Sequence, residues 1–149
     1  MIKIGPSGCR GVGLVEILVT ILVLAIGLLG VAGLQGVSTR NNHSAYLRTQ
    51  ATTLAYDIVD AMRANVTAAQ NGAYNIGYGV APSSTNAVAQ ADLTTWRTNI
   101  NTLLPAGTAL TAAQQSQITQ AANNTFTISI RWDDSRGGAS QTFTVLTRL

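Results

Sequence analysis

The chain has almost no cysteine. Cys9 is its only one, so no disulfide within the chain is available. His43 is its only histidine, and with no cysteine beyond position 9 a Cys/His zinc site lacks its ligands. Charged residues make up 10% of the 149 and aromatics 5%; the net charge of +3 comes from scattered arginines plus Lys3, not from a cluster interleaved with aromatic rings. That pattern argues against nucleic-acid binding. No nucleophile–base spacing and no phosphate-cradling glycine loop is present, so neither an enzyme nor a bound cofactor is expected. Asp57 and Asp60, three apart, read as the solvated face of a helix near Arg48 and Arg63. Asp133-Asp134 lies in a glycine-containing turn without the ligand spacing of a calcium loop. Proline is scarce too, and none falls between Gly11 and Asn65, so nothing there forces a helix to break.

What the chain has is one long apolar run. From Val12 to Leu34 there are 23 residues with a single charge, Glu16. As a helix this is roughly 35 Å long, enough to cross a hydrocarbon core of about 30 Å. A carboxylate in a spanning segment costs on the order of 2.5–3.5 kcal/mol, so Glu16 needs a partner unless it reaches the headgroups. Lys3 and Arg10 precede the run and favour a cytoplasmic N-terminus. A cut after Gly11 would give Val12 a free α-amino group one turn from Glu16, a natural counter-charge within the chain or between neighbours. It would also remove Cys9. A lipoprotein signal is excluded because the apolar segment follows the cysteine. An ordinary secretory signal fits poorly because the run is too long and holds a glutamate.

This arrangement resembles the type IV prepilin signal, a short basic leader ending in glycine before an apolar helix with glutamate at its fifth position. The match covers Arg10 to about Leu34, with Val12-Gly13 in place of the usual Phe-Thr. The resemblance implies cleavage between Gly11 and Val12 by a prepilin peptidase, N-methylation of Val12, and a subunit-docking role for Glu16. Gly27, Gly30, Gly33 and Gly36 lie three apart, and each costs a helix interior about 1 kcal/mol relative to alanine. They serve either close packing of neighbouring helices or a segment that unwinds when the subunit enters a fibre.

Beyond Leu34, Val37, Ala45, Leu47, Ala51, Leu54, Ala55, Ile58, Val59 and Met62 recur mostly at three- and four-residue steps. Arg40, Asn41, Arg48, Asp57, Asp60 and Arg63 supply the polar side. One helix over about Val12–Asn65 is expected. Four segments follow: a leader over 1–11, a membrane or fibre-core half-helix over 12–34, an amphipathic half over 35–65, and a globular domain over 66–149. Residues 66–91, rich in Ala, Asn, Gly and Ser with Tyr74 and Tyr78, read as a long surface loop. Asp92 is expected to cap a short helix with Leu93, Trp96, Ile100 and Leu103 or Leu104 on one face, ended by Pro105-Ala-Gly107. Thr111 and Gln114 have capping-box spacing for a second short helix towards Ala121. Phe126, Ile128, Ile130 and Trp132 alternate with polar residues as a strand. After the Asp133–Ala139 turn, Phe143 and Val145 begin a second strand ending near Leu149. The hairpin should lie on the amphipathic half-helix, joined by one more strand from the central region. The fold class is α+β: a type IV pilin-like long N-terminal helix packed on a small antiparallel sheet.

Leu28–Gln35, Leu54–Asn65 and Arg131-Trp-Asp-Asp134 are similar to segments of the PilV-type minor pilins. This resemblance implies a low-abundance subunit that helps prime a type IV pilus. Its partners would be the other minor pilins, the major pilin, the prepilin peptidase, the inner-membrane assembly platform and the membrane lipid. It would sit in the inner membrane of a Gram-negative cell before assembly and in the surface pilus after it. The alternatives are a minor pseudopilin of type II secretion, or an uncleaved single-pass anchor bearing a periplasmic domain.

Overall fold

The computed structural model describes residues 13–107, 110–134 and 140–149. The chain forms two compact units, Met1–Asn42 and His43–Leu149. Helix α1 spans Leu14–Ala64. It starts where the carbonyl of Gly13 accepts the amide hydrogens of Glu16 (2.8 Å) and Ile17 (3.3 Å).

In the His43–Leu149 unit, Leu47, Ala51, Leu54, Ala55, Ile58, Val59 and Met62 form the buried stripe of α1. Full burial of one large aliphatic side chain stabilises by about 1.5–3 kcal/mol, so this stripe anchors the unit. Val37 and Ala45, expected to share the stripe, are exposed.

The stretch 66–91, expected to be a surface loop, is partly built into the core. Helix α2 covers Val66–Gln70, with Ala68 and Ala69 buried. It closes in a Schellman turn: the Ala73 amide donates to the Ala68 carbonyl at 3.0 Å and the Gly72 amide to the Ala69 carbonyl at 2.9 Å. Gly72 has φ +83°, the left-handed conformation that this turn requires. Tyr74 and Ile76 are then buried, at 0% and 5% exposure. Helix α3 spans Ala87–Leu103 and is capped by Asn86, whose side chain accepts from the Ala89 amide at 2.9 Å. Asp92, the expected cap, lies inside α3. The apolar face is the expected one, with Leu93, Trp96, Ile100 and Leu104 buried and Leu103 exposed.

A single 3₁₀ turn follows over Ala112–Gln115, and the Gln114 side chain accepts from the Thr111 amide at 3.0 Å. This is one half of the expected capping box, but the helix towards Ala121 does not form. Ser116–Ala121 is strand β1 instead. Strands β2 (Thr125–Trp132) and β3 (Gln141–Arg148) complete an antiparallel sheet in the order β1-β2-β3. The register pairs Ile118 with Ile128 and Ile130 with Phe143. Phe126, Ile128, Ile130 and Trp132 of the central strand join the core with the α1 stripe and α3. The result is an α+β, type IV pilin-like layout of a long N-terminal helix and a small three-stranded antiparallel sheet.

Candidate functional site

Glu16 sits in the first turn of α1, and the Thr20 hydroxyl donates to its main-chain carbonyl at 2.7 Å. Every residue of α1 from Leu14 to Leu34 is exposed. Leu14 is 80% exposed, and Leu29 and Leu34 are 73% exposed. The most apolar window of the helix has a mean hydropathy of 2.8 with none of it buried, so α1 is long and apolar enough to cross a membrane. In water such a surface costs about 25 cal/mol for each Å² of apolar area, which lipid or other helices would remove. Gly27, Gly30, Gly33 and Gly36 continue the helix without a break, and a Cβ added at any of them would meet nothing within 4 Å. The helix surface is therefore narrow there, and a neighbouring backbone has room to approach. Gly11 and Val12, the expected cleavage and methylation positions, lie outside the described residues.

The other sequence candidates stay apart. His43 is exposed on α1, and no group of three metal-ligating side chains occurs among the described residues. Asp60 pairs with Arg63 at 3.0 Å on the exposed side of α1. Asp133, at the end of β2, donates its amide to the Pro105 carbonyl at 2.8 Å.

A polar network that the sequence did not reveal ties the helices of the second unit together. The buried Tyr74 hydroxyl donates to Asp92 Oδ2 at 2.5 Å. Asn65, just past α1, donates from Nδ2 to Tyr74 Oη at 3.3 Å and to Asn86 Oδ1 at 3.2 Å. Burial and, after it, the Asp92 carboxylate push the Tyr74 hydroxyl from its ordinary 10.0 up to about 12. Arg97 is 6% exposed on α3. Its Nε donates to Ser116 Oγ at 3.2 Å, one terminal nitrogen to the Ser116 carbonyl at 3.3 Å, and the other to the Val80 carbonyl. Burial lowers its pKa. Arg97 therefore fastens α3 to β1 and to the 77–80 turn through neutral acceptors. Arg131 caps that turn from outside, its guanidinium 3.6 Å from the Tyr78 ring centroid.

One open hollow in this unit, about 510 Å³, is lined by Ala68, Asn71, Gly72, Ala73 and residues Ser83–Asn86. It has the size of a ligand pocket but no charged or aromatic group to orient one.

The distinguishing chemistry of the chain is thus its N-terminal helix. The prokaryotic N-terminal methylation motif matches residues 6–32. This match spans the basic residue, the glycine, the glutamate and most of the apolar run, and it supports a type IV pilin-like protein. No curated protein and no solved structure matches the chain.

Proposed function

We propose that this chain is a minor pilin, a low-abundance type IV pilus subunit that helps prime assembly and docks through its N-terminal helix. One observation carries the reading: the methylation motif over 6–32 coincides with the uncovered apolar start of α1, Leu14–Leu34, whose only charge is Glu16. A prepilin peptidase cuts after Gly11, and the new terminus at Val12 is methylated. The precursor waits in the inner membrane with α1 in lipid. The helix leaves lipid when helices of the other minor pilins and the major pilin supply an equally apolar surrounding. Glu16 then needs a counter-charge, and the α-amino group of an adjoining subunit provides one. The PilV-like segments at Leu54–Asn65 and Arg131–Asp134 favour a pilus over a type II secretion pseudopilus.

The test separates membranes from sheared surface fibres and compares wild type with Glu16→Ala. Wild type should appear in fibres at a small fraction of the major subunit. The variant should be processed and stable in membranes but several-fold depleted from fibres. Equal recovery of both in fibres removes the docking role of Glu16.

A further inference from the structure

Between α1 and α3, on the outside of the second unit, lies a groove of about 180 Å³ lined by Asp57, Ile58, Ala61, Asp92, Thr95, Trp96 and Asn99. Pockets for drug-sized ligands run from about 300 Å³ upward, so this groove takes one long side chain and not a small-molecule ligand. Its walls have two characters. Ile58 and Trp96 are buried core residues whose surfaces form an apolar floor, with Ala61 beside them. Asp57 and Asp92 bring two carboxylates to the rim, one from each helix.

Neither carboxylate has a cationic partner among the described residues. Asp57 is exposed on α1, and among the described residues the ion pair of this face is Arg63 with Asp60. Asp92 is half-buried, and its Oδ2 accepts only the neutral Tyr74 hydroxyl. That bond holds the Asp92 carboxylate in place at the groove and leaves Oδ1 available. The Trp96 indole is also fixed, because its Nε1 donates to the Leu54 carbonyl at 2.8 Å. A small slot with an apolar floor and one carboxylate from each helix, that of Asp92 held in place, complements a side chain with an aliphatic stem and a cationic end.

We propose that this groove receives an arginine or lysine side chain of a neighbouring pilin-like subunit, its stem on Ile58, Ala61 and Trp96 and its charge between Asp57 and Asp92. The identity of the partner rests on the minor-pilin reading; the chemistry of the slot does not. Charge complementarity selects the occupant: an acidic or purely apolar side chain would leave both carboxylates unpaired in a partly desolvated interface. The contact gives this subunit a lateral specificity that the uniform apolar run Val12–Leu34 lacks.

The experiment places the photo-crosslinking amino acid p-benzoylphenylalanine at Asn99 of the full-length chain in cells that assemble pili. Thr98, exposed on α3 but outside the groove, is the control position. The expected result is an Asn99 adduct with a pilin-like subunit whose mapped peptide contains arginine or lysine, several-fold stronger than that from Thr98. Asp57→Lys should reduce it about tenfold. Asp57 is exposed and has no partner among the described residues, so this variant should melt close to wild type. Changing the mapped basic residue to glutamate should restore the adduct in the Asp57→Lys background. An adduct unmoved by Asp57→Lys, an adduct with lipid, or none above the Thr98 level overturns the proposal. An adduct with a non-pilin protein overturns the partner while leaving the slot. The N-terminal mass of the chain, taken from membranes and from sheared fibres of the same cells, tests the minor-pilin reading independently.

Discussion

Tyr74 donates its phenolic hydrogen to Asp92 across 2.5 Å, joining the turn after α2 to the second turn of α3. Asn65 extends the link to the end of α1. Tyr74→Phe removes one hydroxyl and leaves the Asn65 amide and the Asp92 carboxylate short of a partner. A buried polar group left unsatisfied costs about 1–3 kcal/mol. The full-length variant in detergent should melt about 5 °C or more below wild type. A melting temperature equal to wild type would show that the bond adds nothing.

The same residue predicts an alkaline transition. The folded chain holds the Tyr74 hydroxyl up to about 12, against 10.0 when unfolded. A group whose proton is held more tightly in the fold contributes its full stability below the unfolded value and loses it as pH rises through the folded value. The domain should therefore lose stability between about pH 10 and pH 12. Denaturant midpoints taken across this window should fall more steeply for wild type than for Tyr74→Phe. Parallel slopes would contradict the assignment.

Gly107 has φ +61°, and a Cβ there would lie 1.8 Å from Asp133 Oδ2 and 2.6 Å from Asp133 Cβ. Gly107→Ala should thus displace the end of β2 and cost more than about 1 kcal/mol, read as a lower melting temperature. The four helix glycines predict the opposite for the isolated subunit. Alanine at Gly27, Gly30, Gly33 and Gly36 meets no neighbour and favours the helix by about 1 kcal/mol each. On the proposed pilin function, close helix approach and a soft segment would each require glycine in a fibre. The quadruple variant should keep its membrane level and lose several-fold in fibres, and full recovery in fibres would make the glycines incidental.

Arg97 is the third structural test. Its fork spans the Ser116 side chain and carbonyl and the Val80 carbonyl. Lysine cannot reproduce that geometry. Arg97→Lys and Arg97→Ala should both destabilise the unit and speed proteolysis within 77–86. A lysine variant as protease-resistant as wild type would reduce Arg97 to a space-filling stem.

The amphipathic half of α1 and strands β2 and β3 were legible because burial there follows a clean period. Leu47 to Met62 recur at helical steps, and Phe126 to Trp132 alternate strictly. The apolar face of α3 was legible for the same reason, but its start was not. Asp92 looked like a cap, whereas the structure uses Asn86 for that and recruits Asp92 for Tyr74. The clue was the polar run Ser83-Ser-Thr-Asn86 directly before α3. Strand β1 was hidden because Ser116–Ala121 holds one large apolar residue, Ile118, and follows a helix-like capping signal. Tertiary pairing with Ile128, and a bridge from Ile76, make it a strand. The segment after α1 does not show as core in the sequence because its buried residues include the small Ala68 and Ala69 and an isolated Tyr74, which carry no period. At the N-terminus the register of Gly11 and Glu16 was legible as a motif, and the structure adds the exposure of Leu14–Leu34.

Gly11→Val should block processing, because glycine at the cut is what the signal shares with prepilins. The precursor should then accumulate in membranes, seen as a band larger than wild type. Normal processing of this variant would remove the signal reading.

The most direct measurement is the intact mass of the chain from membranes and from sheared surface fibres. A chain that begins at Val12, carries one added methyl group and occurs in the fibre fraction is the predicted result. A chain that still begins at Met1 would contradict the account, leaving an anchored domain with a coincidental register of Gly11 and Glu16.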